Sequence, residues 1–242
     1  MELNPELKKL YDGYYKNDNK NDLQLKRDLT ALQSVKNLKK LLPKSNFKNL
    51  IDIGAGDGNT LVVLSKEDIA DELCAIEISS SGISEIKKKN INKLIKIEMF
   101  DGYDIKEPSD QYELGIALHV LEHVEHQRLF ISEVMRVCEI AYFEVPLEDT
   151  FFIKNAVKLS PLYGHLNFYN PHTLKSLMNN LNLDILDFSV FSHSKEYEML
   201  ISGKFKGWIR YAIKKITLFL FPKYANFLFT YTGGIVVSKK KV

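Results

Sequence analysis

LIDIGAGDG, residues 50–58, decides the fold. An apolar run interrupted only by Asp52 leads into glycines at positions 54, 56 and 58, and a helix-like stretch opens at Asn59. Strand, tight turn and helix in that order predict a backbone that reverses sharply and presents its N–H groups to a ligand, which glycine permits sterically. The spacing is G-x-G-x-G. The dinucleotide fingerprint is G-x-G-x-x-G, so here the third glycine arrives one residue early and Asp57 falls on the turn. A carboxylate there repels a pyrophosphate but accepts hydrogen bonds from a ligand amine, and Asp52 adds a second acidic group close by.

Outward from this turn, short apolar runs at 49–53, 73–78, 94–99, 113–118 and 140–145 alternate with helix-like segments at 59–67, 80–90 and 122–137. That alternation predicts an α/β fold of βαβ units with a parallel sheet covered on both faces. Glu77 ends the second strand, where a carboxylate can take both ribose hydroxyls of a nucleoside. Asp101, in FDGYD after the third strand, offers an acceptor for an adenine amino group. These acidic groups share the carboxyl edge, where open α/β sheets bind ligands.

Upstream, Leu25, Leu29, Leu32, Val35, Leu38 and Leu42 recur at helical spacing until Pro43, which predicts an amphipathic helix over 23–42. A Tyr-rich segment (Tyr11, Tyr14, Tyr15) and a polar loop at 16–22 precede it, so residues 1–47 read as an N-terminal helical cap. Downstream of Pro146, residues 171–181 read as a Pro-started helix and 183–191 as a strand. A last strand is expected at 233–240, entered through a Gly-Gly turn, and 1–242 reads as one domain.

LIDIGAGDG, AIEIS, MFDGYD and LGIALHVLEHV, in that order, resemble the motifs of class I S-adenosylmethionine-dependent methyltransferases. The resemblance covers about 48–190 and implies a Rossmann-like seven-strand sheet in the order 3-2-1-4-5-7-6, with the last strand antiparallel. LEHV and the later GHLNFYNPHTL resemble a subgroup that includes ubiquinone-pathway, small-RNA-end and surface-polysaccharide methyltransferases. By that resemblance Asp52, Gly54, Gly56 and Asp57 surround the methionine end of S-adenosyl-L-methionine, and Glu77 holds the ribose. Ile78 packs on the adenine, Asp101 and Gly102 reach its amino edge, and Leu118 and His119 make backbone contacts. A positive sulfonium suits an acidic pocket.

His119, Glu122 and His123 match the letters H-x-x-E-H of inverted zinc proteases. That chemistry needs both histidines on one helix face, whereas His119 closes a strand, so the protease reading fails. In the ubiquinone-pathway and small-RNA enzymes that this segment resembles, an acidic-x-x-Glu-His stretch helps to hold a divalent ion, which implies Mn²⁺ or Mg²⁺ as a cofactor here. The corresponding ligands are His119, Glu122, His123 and His165, with His119 replacing an acidic residue. More imidazole and less charge favour Mn²⁺ or Zn²⁺ over Mg²⁺. The other reading makes His165 or His123 the base that takes the proton of an acceptor hydroxyl.

The balance of 33 Lys+Arg against 31 Asp+Glu leaves +2, too even for a dedicated nucleic-acid binder. Two cysteines, Cys74 and Cys138, form no disulfide framework and read as buried thiols of a reducing cytoplasm. The first residues, MELNPELKKLYDGYY, contain no apolar core of a secretory signal. Residues 204–231 carry six Lys/Arg among Trp208 and several Phe and Tyr, and Pro222 cuts their longest apolar run short of a span. Two roles remain for them: a helical insertion or lid over the acceptor site, or a helix lying on a membrane surface. The function expected is O-methylation of a sugar hydroxyl or phosphorus-linked oxygen in capsule or lipopolysaccharide biosynthesis. The alternatives are an RNA end or a quinone ring as acceptor and, last, a cofactor-binding module without transfer.

Overall fold

The computed structural model describes residues 21–240. Tyr11, Tyr14 and Tyr15 lie outside that range. Helix α1 (Asn21–Leu41) leads into β1 (Phe47–Ile53), α2 (Asn59–Leu64), β2 (Ala70–Glu77), α3 (Ser80–Lys88), β3 (Leu94–Met99) and β4 (Tyr112–Leu118). A 3-10 turn at Leu121–His123 precedes α4 (Gln127–Val137), β5 (Cys138–Leu147), α5 (Ile153–Tyr163), α6 (Pro171–Asn180) and β6 (Leu183–Phe191). The chain continues through α7 (Lys195–Ser202), α8 (Lys204–Leu220) and α9 (Ala225–Leu228) to β7 (Tyr231–Lys239).

The seven strands form one sheet in the expected order, β3-β2-β1-β4-β5-β7-β6. The pairs among β1 to β5 are parallel, and β7 runs antiparallel to both β5 and β6. Central strands are covered on both faces, which is why their apolar runs are nearly continuous. Ile51, Ile53 and Ala117 pack with Phe130, Ile131 and Val134 of α4 on one face. Leu50, Leu114 and Ile116 pack with Val35, Leu38 and Leu41 of α1 on the other. Cys74 and Cys138 are buried free thiols.

Four local expectations change. Helix α1 begins at Asn21, inside the polar loop expected at 16–22, and Leu25 and Leu32 are exposed while Val35 and Leu38 are buried. The helix expected over 122–137 is split, because Val124 is extended and α4 starts only at Gln127. Helix α5 was not anticipated, since exposed apolar residues and Pro161 blur its period. Gly233 and Gly234 lie inside β7, opposite Val145 and Glu144, not in a turn before it. A Cβ on Gly233 would stand 2.8 Å from Leu147 Cδ2, and one on Gly234 2.6 Å from the Tyr142 hydroxyl, so these glycines make room for large side chains of β5.

Leu114 is fully buried at the centre of the sheet. Leu114→Ala removes three carbons there and leaves a cavity, and should lower the unfolding free energy by about 2–5 kcal/mol in urea titrations. An unchanged midpoint would contradict the packing described.

Candidate active site

The carboxyl ends of β1, β2, β4 and β5 open into a cavity of about 730 Å³, walled on one side by α1. At one end lies the glycine turn. Gly54 has φ +80°, and a Cβ on it would lie 2.8 Å from Val120 Cγ2, so only glycine fits. Glu77 ties the turn to the next strand end. Its Oε2 accepts from the Gly56 N–H at 2.8 Å, and its Oε1 accepts from the Ser79 N–H and hydroxyl at 3.0 and 2.8 Å. Burial still holds the Glu77 carboxyl above its usual range, outweighing those bonds. Asp52 is 2% exposed, and its Oδ2 has no hydrogen-bond partner. Burial, then the Glu77 charge, push it up to about 7.

The other residues expected at this end divide. Gly54, Gly56, Asp57, Ile78, Gly102, Leu118 and His119 line the cavity with Asp52 and Glu77. Asp57 also faces Arg27 and Lys89, each at 3.7 Å. Asp101 is exposed and is not part of the wall: its Oδ1 accepts from the Tyr103 and Asp104 N–H groups at 2.9 and 2.8 Å. Its neighbours Phe100, Gly102 and Tyr103 line the wall instead.

Further along, Glu144 is a buried acceptor in the middle of β5. It takes hydrogen bonds from Ser34 and, at 3.0 Å, Asn37 of α1, and from the Tyr142 hydroxyl at 2.6 Å. His119 has φ +57°, with its Nδ1 3.4 Å from Glu122 and its Nε2 3.5 Å from Glu144. Burial pulls its pKa down, but the two carboxylates outweigh burial and hold it at about 10. Nothing in the sequence reading pointed to Glu144; the one signal was a charge inside the apolar run IAYFEV.

Glu122, His123 and His165 come together, each offering one ligand atom within 4.8 Å of the others. His119 is not in that group, because both its nitrogens face carboxylates. His123 Nδ1 sits 3.1 Å from the Gly164 carbonyl and His165 Nδ1 2.7 Å from Glu148. Those contacts favour the proton on Nδ1 and leave the lone pair on Nε2. Burial lowers the His123 pKa, whereas for His165 burial is outweighed by Glu148 and the pKa rises.

A second unforeseen cluster closes the far end of the cavity. Glu198 is fully buried, with its Oε1 2.6 Å from Lys214 Nζ and its Oε2 2.9 Å from Arg210. Burial raises its pKa, but His193 and Lys214 bring it down to about 2. Arg210 and Lys214 are 12 and 16 positions from Glu198 in the sequence and meet it because α7 and α8 pack together.

A family model described as a methyltransferase domain matches residues 24–187. The ajmaline and norajmaline N-methyltransferases of Rauvolfia serpentina are 27% and 25% identical over 100 and 151 residues, which are 39% and 60% of this chain. The chain spans between a third and a half of their length, 34% and 49%. Geranyl diphosphate C-methyltransferase from Streptomyces coelicolor, in a complex with Mg²⁺, geranyl-S-thiolodiphosphate and S-adenosyl-L-homocysteine, shares the fold. Its TM-score is 0.65 at 10% identity, over 86% of this chain and 76% of that one.

Asp52 makes a pH test. Its folded pKa of about 7 lies well above the 3.8 of a free aspartate. Between those values the native state holds a proton that the unfolded chain has lost, so stability falls as pH rises and levels off above about 7. Asp52→Asn should remove up to about 1.4 kcal/mol of that decline per pH unit, read as the difference between the two proteins' unfolding free energies from pH 4 to 8. Parallel curves would show that Asp52 ionises normally.

Proposed function

Because this chain belongs to the methyltransferase domain family, we propose that it transfers a methyl group from S-adenosyl-L-methionine to an oxygen of a small polar acceptor. One observation carries this reading: a single cavity has buried carboxylates beside a glycine turn at one end and a Glu-His-His cluster further along. Asp52 and Glu77 give the first end the negative charge that a sulfonium wants and a pyrophosphate avoids. Beyond its three bonds to Gly56 and Ser79, Glu77 keeps one lone pair, on Oε2, for a ribose hydroxyl. Ile78 and Gly102, both on the cavity wall, support an adenine bound between them.

In the transfer, the acceptor oxygen attacks the methyl carbon, the carbon–sulfur bond breaks, and the sulfonium becomes a neutral thioether. The hydroxyl proton needs a destination. His165 is held by Glu148 as a base is held by an orienting carboxylate, and His123, its pKa lowered by burial, is neutral near pH 7. Glu122, His123 and His165 also fit a divalent ion, since Glu122 Oε2 is buried without a hydrogen-bond partner and the Nδ1 contacts of both imidazoles favour a lone pair on Nε2. Such an ion, when bound, supplies Lewis acidity that lowers the pKa of a nearby hydroxyl. The motif resemblance to surface-polysaccharide enzymes supports a sugar hydroxyl or a phosphorus-linked oxygen as acceptor. The Rauvolfia relatives favour a second reading, an amine acceptor, which the carboxylates of Glu122, Glu144 and Glu148 along the wall would suit.

Isothermal titration with S-adenosyl-L-homocysteine tests the cofactor. Glu77→Ala should weaken binding by on the order of 1.5–3 kcal/mol, the value of a hydrogen bond to a charged group. NADH bound more tightly than S-adenosyl-L-homocysteine would overturn the reading. For the chemistry, His165→Ala should lower kcat by about 10²–10⁴ on a hydroxyl acceptor and leave S-adenosyl-L-homocysteine affinity unchanged. Exhaustive chelation then separates the two roles: turnover lost and restored by Mn²⁺ assigns the ion, and full turnover assigns His165 as the base.

A further inference from the structure

We infer that α8 seats this protein on an anionic bilayer surface, through an apolar face that points away from the fold. The helix is the inverse of an ordinary surface helix, whose apolar stripe faces the core. At about 3.6 residues per turn, Gly207, Tyr211, Lys214 and Leu218 share one side. This side faces inward: Gly207 and Lys214 are buried, and Tyr211 and Leu218 half-buried. The orientation is fixed by a close crossing, since a Cβ on Gly207 would lie 2.3 Å from the Glu198 carbonyl oxygen in α7. It is fixed again by Lys214, whose Nζ is 2.6 Å from the buried Glu198 carboxylate.

The opposite side carries Phe205, Ile209, Ile213, Ile216 and Leu220, all exposed, with Phe205 74% exposed. Phe219, 82% exposed, and Trp208, 50% exposed, widen the stripe. Exposed Lys206 borders it on one edge, and exposed Lys204 and Lys215 on the other, while Arg210 turns its guanidinium inward to Glu198. The apolar surface continues past the helix through exposed Phe221, Tyr224 and Phe227, and the Phe227 ring lies 5.3 Å from that of exposed Phe151. So large an apolar surface on several elements marks an interaction site.

Charge selects the occupant. From Met199 to Val242 the sequence has nine Lys/Arg and no Asp or Glu. An apolar, aromatic stripe between rows of cations is what lies in an anionic lipid interface, rings among the acyl chains and amines among the headgroups. A second copy is disfavoured, because two such faces would oppose their own cationic borders. No helix among the described residues is long and apolar enough to cross a membrane, so contact is with the surface.

Sedimentation with sucrose-loaded vesicles tests this on the full chain. Binding is expected to phosphatidylcholine vesicles containing about a third phosphatidylglycerol, with at least about tenfold weaker binding to phosphatidylcholine alone and at 0.5 M NaCl. The double variant Phe205→Glu/Ile216→Glu should abolish binding, and Lys206→Glu/Lys215→Glu should weaken it about tenfold or more. All four positions are exposed, so melting temperature and S-adenosyl-L-homocysteine affinity should match wild type, which keeps this result independent of the cofactor reading. The inference is overturned if wild type ignores anionic vesicles, or if both variants bind them as wild type does. It is also overturned if the wild type is a dimer that Phe205→Glu/Ile216→Glu dissociates while no lipid binding is found.

Discussion

A carboxylate buried in the middle of a strand has to be satisfied, and the way Glu144 is satisfied organises the site. Leaving such a charge without partners would cost several kcal/mol. Its acceptors are filled by Ser34 and Asn37 from α1, by Tyr142 two residues away on its own strand, and by the His119 ring. Helix α1 therefore docks where Glu144 requires donors, and in docking it becomes a wall of the cavity. The requirement also fixes His119, whose N–H donates to the Glu144 carbonyl at 2.8 Å while its ring bridges Glu144 and Glu122. The left-handed backbone of His119 is held by contacts on both sides.

The sheet was legible because burial on both faces writes a simple signal. Runs such as LCAIEI and ELGIAL are apolar without alternation, and the turns between them carry the glycines and acids that strand ends require. Glu77 and Asp52 could be placed for the same reason: topology puts successive strand ends side by side. Asp101 shows the limit of that argument. Sequence order put it at the right edge, but a short acidic side chain in a turn is satisfied by its own backbone, and Tyr103 and Asp104 claim it. Gly233 and Gly234 misled in the opposite way. Glycine pairs usually mark turns, and here they are needed for packing against Tyr142 and Leu147, partners about ninety residues earlier. Neither the Glu144 network nor the Glu198 cluster has a local pattern, because each is assembled by tertiary contacts.

The cavity is zoned by charge. Asp52 and Glu77 crowd one end, and their mutual repulsion adds to burial in raising Asp52. The middle holds imidazoles that carboxylates orient, His119 by Glu122 and Glu144 and His165 by Glu148. At the far end one carboxylate, Glu198, meets the Lys214 amine and the Arg210 guanidinium. A ligand with a cationic head and a polar or anionic tail matches that gradient better than one of uniform charge. Low dielectric makes the zoning stronger than the same charges would be in water.

The inverted helix α8 follows from the same cluster. Burying Lys214 and Glu198 is unfavourable unless each compensates the other, which their 2.6 Å hydrogen bond does, with Arg210 2.9 Å from the other carboxylate oxygen adding a second positive charge. Once Lys214 is committed inward and Gly207 is locked against α7, the helix cannot roll, and its apolar residues have nowhere to go but outward. A fold serving only to close the cavity would gain stability from the reverse arrangement, with isoleucines inward and lysines in water. The arrangement adopted leaves Phe205, Ile216 and Phe219 in solvent and spends a buried ion pair to do it. At an interface with anionic lipid that cost disappears, since the exposed stripe is covered while Arg210 and Lys214 still wall the cavity from the other side.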